Sequence, residues 1–367
     1  MTVRLGWIGA VVVLSALVSL LLVRIGADRR GHVTPPAPSQ QAVQWRGANV
    51  LQSTRVSWED PAALESLKIL KGMGADTVIL VPFLRQDSPG HSRLRIDEGV
   101  TDVQLRAALE KAAALGFRVM IKPQVLVDHG WAGAILPGGG QGWPEWFAGY
   151  EKLLLHYADL AQSYHVDALI IGTELARSGD RPEWGPLIRA VRQHFRGRLS
   201  YAAHNVDGVE RFRFWSQLDA ISVTLYPPLH DTVSGMVRDI SRVLQRLHRQ
   251  AARWEKPVWV VEYGIPSASG AASRPWDWQR LREDGSIRVD GKVQVDAFAA
   301  WEVSLRAERW IAGYAFWNWM TDPDAGGPLD KDYTIQHKPA QTLLACLWDH
   351  CVSQEGGVMA SPYATSL

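Results

Sequence analysis

The chain has 367 residues, 47% hydrophobic and 21% charged, which suits one large globular domain and excludes a disordered polymer. Lys and Arg total 39 against 38 Asp and Glu, a formal charge of +1 that gives no electrostatic case for a nucleic-acid partner. Trp is the outlier at 17 residues; indoles fill cores, but their faces also stack on the C–H faces of sugars.

Residues 6–23, GWIGAVVVLSALVSLLLV, carry no charge, follow Arg4 and precede Arg24, Arg29 and Arg30. Such a run is close to the ~20 apolar residues that cross a bilayer. The only small-residue site after it, IGA at 25–27, follows an arginine and suits signal cleavage poorly. Residues 1–30 are therefore expected to be an uncleaved membrane anchor, with a cleaved signal sequence as the alternative. Residues 31–43, containing TPPAPSQQA, have the composition of a Pro-rich tether. This arrangement places the remainder on the periplasmic or extracellular face, tethered to the inner membrane, or secreted if cleavage occurs.

From residue 44, β-rich runs recur at 44–51, 76–83, 118–126, 166–174, 198–205, 219–227, 256–265 and 312–320. Amphipathic helical segments lie between them, at 102–115, 146–164, 183–195, 236–254 and 295–309. Strand and helix in alternation predict a (β/α)8 TIM barrel over residues 44–350, followed by a tail at 351–367. An open doubly wound sheet is the alternative, but no Gly-rich dinucleotide fingerprint follows the first strand. Cys346 and Cys351 in CLWDHC can pair only where the helix breaks between them. The histidines are dispersed, so neither a metal nor a cofactor is expected.

A barrel presents its chemistry where its strands end. The third strand ends with Lys122 and Gln124, followed by Asp128 and Trp131; the fourth ends at Thr173 and Glu174. His204 and Asn205 end the fifth, Tyr226 the sixth, Glu262 the seventh, and Trp317 with Asn318 the eighth. Glu174 and Glu262 directly terminate apolar runs and would face each other across one mouth. Paired carboxylates are the machinery of glycoside hydrolysis, one protonating the leaving oxygen while the other attacks the anomeric carbon or activates water. Each alone has a structural reading as a rim ion pair. The other polar groups are candidate substrate contacts: His204 and Asn205 are divided between sugar binding and rim hydrogen bonding, Lys122 between sugar binding and a structural ion pair, and Asp128 and Trp131 between sugar binding and ordinary loop roles.

These features, with LIIGTEL at 169–175, YP at 226–227, VVEYGIPS at 260–267 and GYAFWNW at 313–319, resemble the clan A retaining glycosidases. Within that clan the chain is most similar to glycoside hydrolase family 113, whose characterised members are endo-β-1,4-mannanases. The resemblance implies Glu174 as acid/base, Glu262 as nucleophile, Tyr226 as the hydrogen-bond donor to the nucleophile, and Trp317 as the floor beneath the reacting sugar. Most of the clan places Asn before the acid/base, against the sugar 2-hydroxyl; this chain has Thr173 there. The roles require Glu262 to be ionised, and Glu174 to be raised towards its protonated form by apolar walls and the charge of Glu262.

Trp143 and Trp146 follow a Gly-rich loop and either cover the cleft or pack inward. RPWDWQR at 274–280 has the place of a lid or subsite wall, whereas Trp254, Trp301 and Trp310 are expected in the core. The functional expectation is a retaining hydrolase of a β-linked polysaccharide, with β-mannan the first choice. A membrane-associated exopolysaccharide-processing hydrolase or transglycosylase and a non-catalytic glycan-binding barrel are the alternatives. The sequence leaves the oligomeric state open.

Overall fold

The computed structural model describes residues 44–348. The apolar segment, the tether and Cys351, and with it the Cys346–Cys351 pairing, lie outside the described residues. Among the described residues, no helix is long and apolar enough to cross a membrane.

Eight parallel strands close into a barrel: β1 (Trp45–Leu51), β2 (Thr77–Leu80), β5 (Arg118–Ile121), β7 (Ala168–Thr173), β8 (Arg198–His204), β9 (Ile221–Leu225), β10 (Val258–Tyr263) and β11 (Ile311–Met320). The order around the ring follows the sequence, with β11 closing onto β1. The strand expected over 118–126 is in fact two. β5 stays in the barrel, whereas β6 (Gln124–Val127) pairs with β3 (Phe83–Gln86), which also pairs with β4 (Arg95–Ile96) in a separate small sheet. Pro82 and Pro123 stand at the two exits; neither has an N–H to continue the ladder.

The helices are α1 (Pro61–Gly72), α2 (Asp102–Ala114), α3 (Trp143–Ser163), α4 (Trp184–His194), α5 (Asn205–Arg211), α6 (Val233–Trp254), α7 (Trp278–Glu283), α8 (Gly291–Arg306) and α9 (Pro339–Trp348). Three begin earlier than the apolar periodicity predicts, because their start signals lie outside it. Pro144 opens α3, the Thr232 side chain accepts from Gly235 N ahead of α6, and Asp290 accepts from Val293 N ahead of α8.

Two cores result. Inside the barrel, Trp45 and Trp259 meet edge-on, their rings 6.2 Å apart, and fill space left by Ala168, Ala202, Ala220 and Ala315. Gly313 is required beneath Trp45, since a Cβ there would lie 2.0 Å from the indole. Between strands and helices lies a larger aromatic core in which Trp146, Tyr150, Trp184, Tyr201, Phe212 and Trp215 interlock.

Glu302 is a carboxylate buried in that layer. Glu302 on α8 accepts from Tyr263 Oη (3.2 Å), Tyr314 Oη (3.0 Å), Arg306 Nε (3.0 Å) and Trp348 Nε1 (2.9 Å), tying β10, β11 and α9 to α8. Truncating it would strand two phenols and an indole N–H in an apolar layer. Glu302→Ala is expected to lower unfolding free energy by about 3 to 5 kcal/mol in urea titration.

Candidate active site

Side chains alternate faces along a strand, and bulges suspend that rule at the carboxyl end of the barrel. The β7–β8 register shifts between Ile170 and Thr173, and the β9–β10 register between Val260 and Glu262. The β1–β11 register shifts at Asn318. Val261 consequently faces the barrel interior and Glu262, its neighbour, also turns into the mouth, while Tyr263 packs outward on Phe298 and Trp301. Glu174 follows β7 with φ 55°, and Asn205 follows β8 with φ 50°. Left-handed backbone at non-glycine residues costs roughly 1 to 3 kcal/mol and persists where surrounding contacts fix it.

Glu262 is 4% exposed. Tyr226 Oη donates to its Oε2 at 3.0 Å, and the Lys122 ammonium contacts its Oε1. Lys122 itself is fully buried, donates to Gln124 Oε1 at 3.3 Å and lies 4.9 Å from the centre of the Trp317 ring. Burial pushes Lys122 down to about 7, opposed by the negative charge of Glu174. Contact with the Glu262 carboxylate further favours the charged ammonium.

Glu174 is met by three donors. Thr224 Oγ1 (2.6 Å) and His204 Nδ1 (3.0 Å) reach Oε1, and Trp131 Nε1 (2.9 Å) reaches Oε2. The Trp131 ring stands edge-on to His204 at 4.7 Å and covers Gly133, where a Cβ would lie 2.2 Å from the indole. Burial raises the Glu174 carboxyl, but the hydrogen bonds from His204, Thr224 and Trp131 oppose it, and with a positive charge on His204 as well they would bring the group to about 2. This corrects the expected upward shift: apolar walls are present, but convergent donors prevail over them. His204 is correspondingly raised, burial being outweighed by its contact with Glu174.

Asn205 links the two carboxylates' surroundings. Its Oδ1 accepts from Tyr226 N at 3.3 Å, and its Nδ2 lies 3.0 Å from His204 Nε2. Beneath the mouth, Asn49 Nδ2 donates to Val261 O (2.7 Å) and Phe316 O (3.1 Å), clamping β10 and β11.

Other expectations change. Thr173 is buried, and its hydroxyl has neither a protein partner nor accessible surface. Asp128 pairs with Arg85 in the small sheet rather than joining the mouth. Trp143 and Trp146 pack inward, the latter donating to Gln86 Oε1 at 2.7 Å. Asn318 lies half-buried at the β11 bulge beside Trp317. Thr224 and Asn49 went unnoticed in the sequence because each sits within an apolar strand. Segment 274–280 lies near Tyr226: Tyr333 stands edge-on to Tyr226 at 6.3 Å and donates to Pro275 O at 2.6 Å, and Trp276 follows, 46% exposed. Among the described residues, no group of three or more His, Cys, Asp or Glu is arranged to hold a metal.

The arrangement has relatives. A β-1,4-mannanase of glycoside hydrolase family 113, solved as a complex, is 26% identical over 84% of this chain and 98% of its own, with TM-score 0.72. The family 113 β-mannanase AaManA from Alicyclobacillus acidocaldarius, in complex with ManMIm, is 26% identical over 85% of this chain and 99% of its own, with TM-score 0.73. A β-glucuronidase from Ruminococcus gnavus, at 11% identity over 83% of this chain and 49% of its own and TM-score 0.55, shares the fold alone. A search of curated protein sequences gives no significant match. The sequence profile of Glycoside Hydrolase Family 113 matches residues 49–338, nearly the whole barrel, and the chain belongs to that family.

Proposed function

We propose that this glycoside hydrolase cleaves a β-1,4-mannan-type polysaccharide with retention, using Glu262 as nucleophile and Glu174 as general acid and base. The observation that carries the assignment is the unequal setting of two carboxylates in one mouth. Glu262 is enclosed by a phenol and an ammonium that favour its ionised form, as a nucleophile requires. Glu174 stands nearer the rim, and its Oε2 is engaged by a tryptophan that is 43% exposed. The substrate class is drawn from the β-mannanases that resemble the chain.

In the first step a Glu262 oxygen bonds the anomeric carbon while the glycosidic C–O bond breaks, and the leaving oxygen takes the Glu174 proton. Negative charge thereby passes from Glu262 to Glu174. In the second step Glu174 takes a proton from water, whose oxygen displaces Glu262 from the sugar. Lys122 feels both carboxylates, so its charge is balanced before and after the transfer. A sugar oxygen replacing the Trp131 N–H at Oε2 removes one donor to the carboxylate and excludes water, and both changes raise Glu174 towards the protonated form that the first step needs.

Two exposed indoles, Trp131 beside Glu174 and Trp276 next to the Pro275 that Tyr333 contacts, support binding of a chain rather than of a single sugar. A second reading, processing of a polysaccharide at the membrane by hydrolysis or transglycosylation, is favoured by the uncharged segment 6–23 and the Pro-rich stretch after it. Those features support a tether to the inner membrane with the barrel on its outer side.

Full-length protein is expected to release oligosaccharides from β-1,4-mannan, with newly formed ends first appearing as the β anomer by NMR. Glu174→Gln and Glu262→Gln are each expected to lower kcat by about three orders of magnitude or more. Inverted product, or activity surviving the Glu262 change, would sink the mechanism; tight glycan binding without turnover would point to a binding barrel.

Trp131→Phe keeps an aromatic ring but deletes the N–H that favours ionised Glu174. Its alkaline limb in kcat/KM should move to higher pH by about half a unit to one unit. A limb that moved downward would contradict the role of that contact.

A further inference from the structure

The hydrogen bonds around His204 fix more than its orientation. Tyr226 N–H can only donate, so the Asn205 atom facing it at 3.3 Å must be the amide oxygen. The amide nitrogen is therefore the atom 3.0 Å from His204 Nε2. An amide N–H pointing at a ring nitrogen requires that nitrogen to be an unprotonated acceptor. The remaining ring proton is then on Nδ1, directed at Glu174 Oε1 3.0 Å away. Contact with Glu174 attracts a second proton to the ring, as does the charge of Asp207 on α5. That proton would have to sit on Nε2, against the Asn205 amide.

We infer that Asn205 is a positioning residue that holds His204 as the neutral, Nδ1-protonated tautomer, so that the imidazole donates to Glu174 without placing a full positive charge beside it. This inference rests on the acid/base reading of Glu174. An imidazolium there would form an ion pair with the carboxylate and oppose its protonation, whereas a neutral donor orients the carboxylate and leaves Oε2 able to carry the proton. The other groups around the pair are constant: Thr224 and Trp131 donate to Glu174, Lys122 supplies the nearby positive charge, and the phenols of Tyr201, Tyr226 and Tyr333 lie within its field. Asn205 has φ 50°, a left-handed conformation that Asn and Asp both tolerate. The same residue thus closes β8, accepts from the backbone of the nucleophile's phenolic partner and sets the proton on the neighbour of the acid.

The test replaces the donor by an acceptor of the same shape. In Asn205→Asp the new carboxylate faces Nε2, so His204 should become an imidazolium held between two carboxylates. The alkaline limb of kcat/KM on β-1,4-mannan should then move to lower pH by about one unit or more. Asn205→Gly also permits the left-handed backbone; it removes the amide without adding charge and should leave the limb between the other two. Independently of turnover, imidazole nitrogen NMR on the full-length chain labelled at histidine, with His204 identified by its loss in His204→Gln, should show only Nδ1 protonated near pH 7 in the native protein. In Asn205→Asp both nitrogens should carry protons. A native His204 protonated on both nitrogens at that pH, or an Asn205→Asp limb that does not move, overturns the inference. Activity retained in Glu174→Gln would instead refute the acid/base reading, and it would do so whatever tautomer the NMR records.

Discussion

An ionised carboxylate taken out of water must be met by donors, and holding two of them in one barrel mouth governs nearly everything around Glu174 and Glu262. Glu262 is satisfied by Tyr226 from the loop after β9 and Lys122 from the end of β5; Glu174 by Thr224 of β9, His204 of β8 and Trp131 of a loop. The donors come from different barrel strands, so closure of the barrel is what assembles them. The bulge beside Glu262 is part of the same solution, since it turns that carboxylate into the mouth from a strand otherwise committed to strict alternation.

Much of this was written in the sequence. Parallel strands buried on both faces appear as apolar runs, and acids that end such runs, as Glu174 and Glu262 do, stand out against them. What did not show was anything decided by a bulge or by a partner distant along the chain. Alternation cannot tell that Thr173 is sealed away while Thr224, inside an apolar strand, reaches Glu174. Nor can a single strand end reveal that Lys122 is held by Glu262, or that Asp128 pairs with Arg85 of a separate sheet. The expected rise at Glu174 failed for the same reason: burial follows from a strand's composition, whereas the three donors that overcome it come from three other segments.

The abundance of tryptophan has mostly a packing explanation. Seven indoles are among the largest fully buried side chains, several meeting edge-on where facing positions are alanine or glycine. Of the 17 in the chain, Trp131, Trp276 and Trp278 are the markedly exposed ones among the described residues, and Trp317 lies over Lys122 in the mouth. Composition alone therefore overstates the case for sugar stacking; placement restores it at a few positions.

The two halves of the mouth differ in how firmly they are held, and the difference matches the work assigned to each. Glu262, Lys122 and Tyr226 are buried and anchored on or beside barrel strands, a setting that fixes the nucleophile within narrow limits. Glu174 keeps two donors on barrel strands, Thr224 and His204, but its third, Trp131, comes from a loop and is substantially open to solvent. A nucleophile benefits from a fixed line of attack throughout both steps. An acid that must later serve as a base needs one oxygen that can exchange partners, first with the leaving sugar and then with water. Placing the replaceable donor on Glu174 and the permanent ones on Glu262 lets the site change its proton without moving the atom that forms the covalent bond. The same asymmetry locates adaptation to a substrate: changes in the loop carrying Trp131 alter the leaving-group side, whereas changes at Lys122 or Tyr226 disturb the buried charge balance itself.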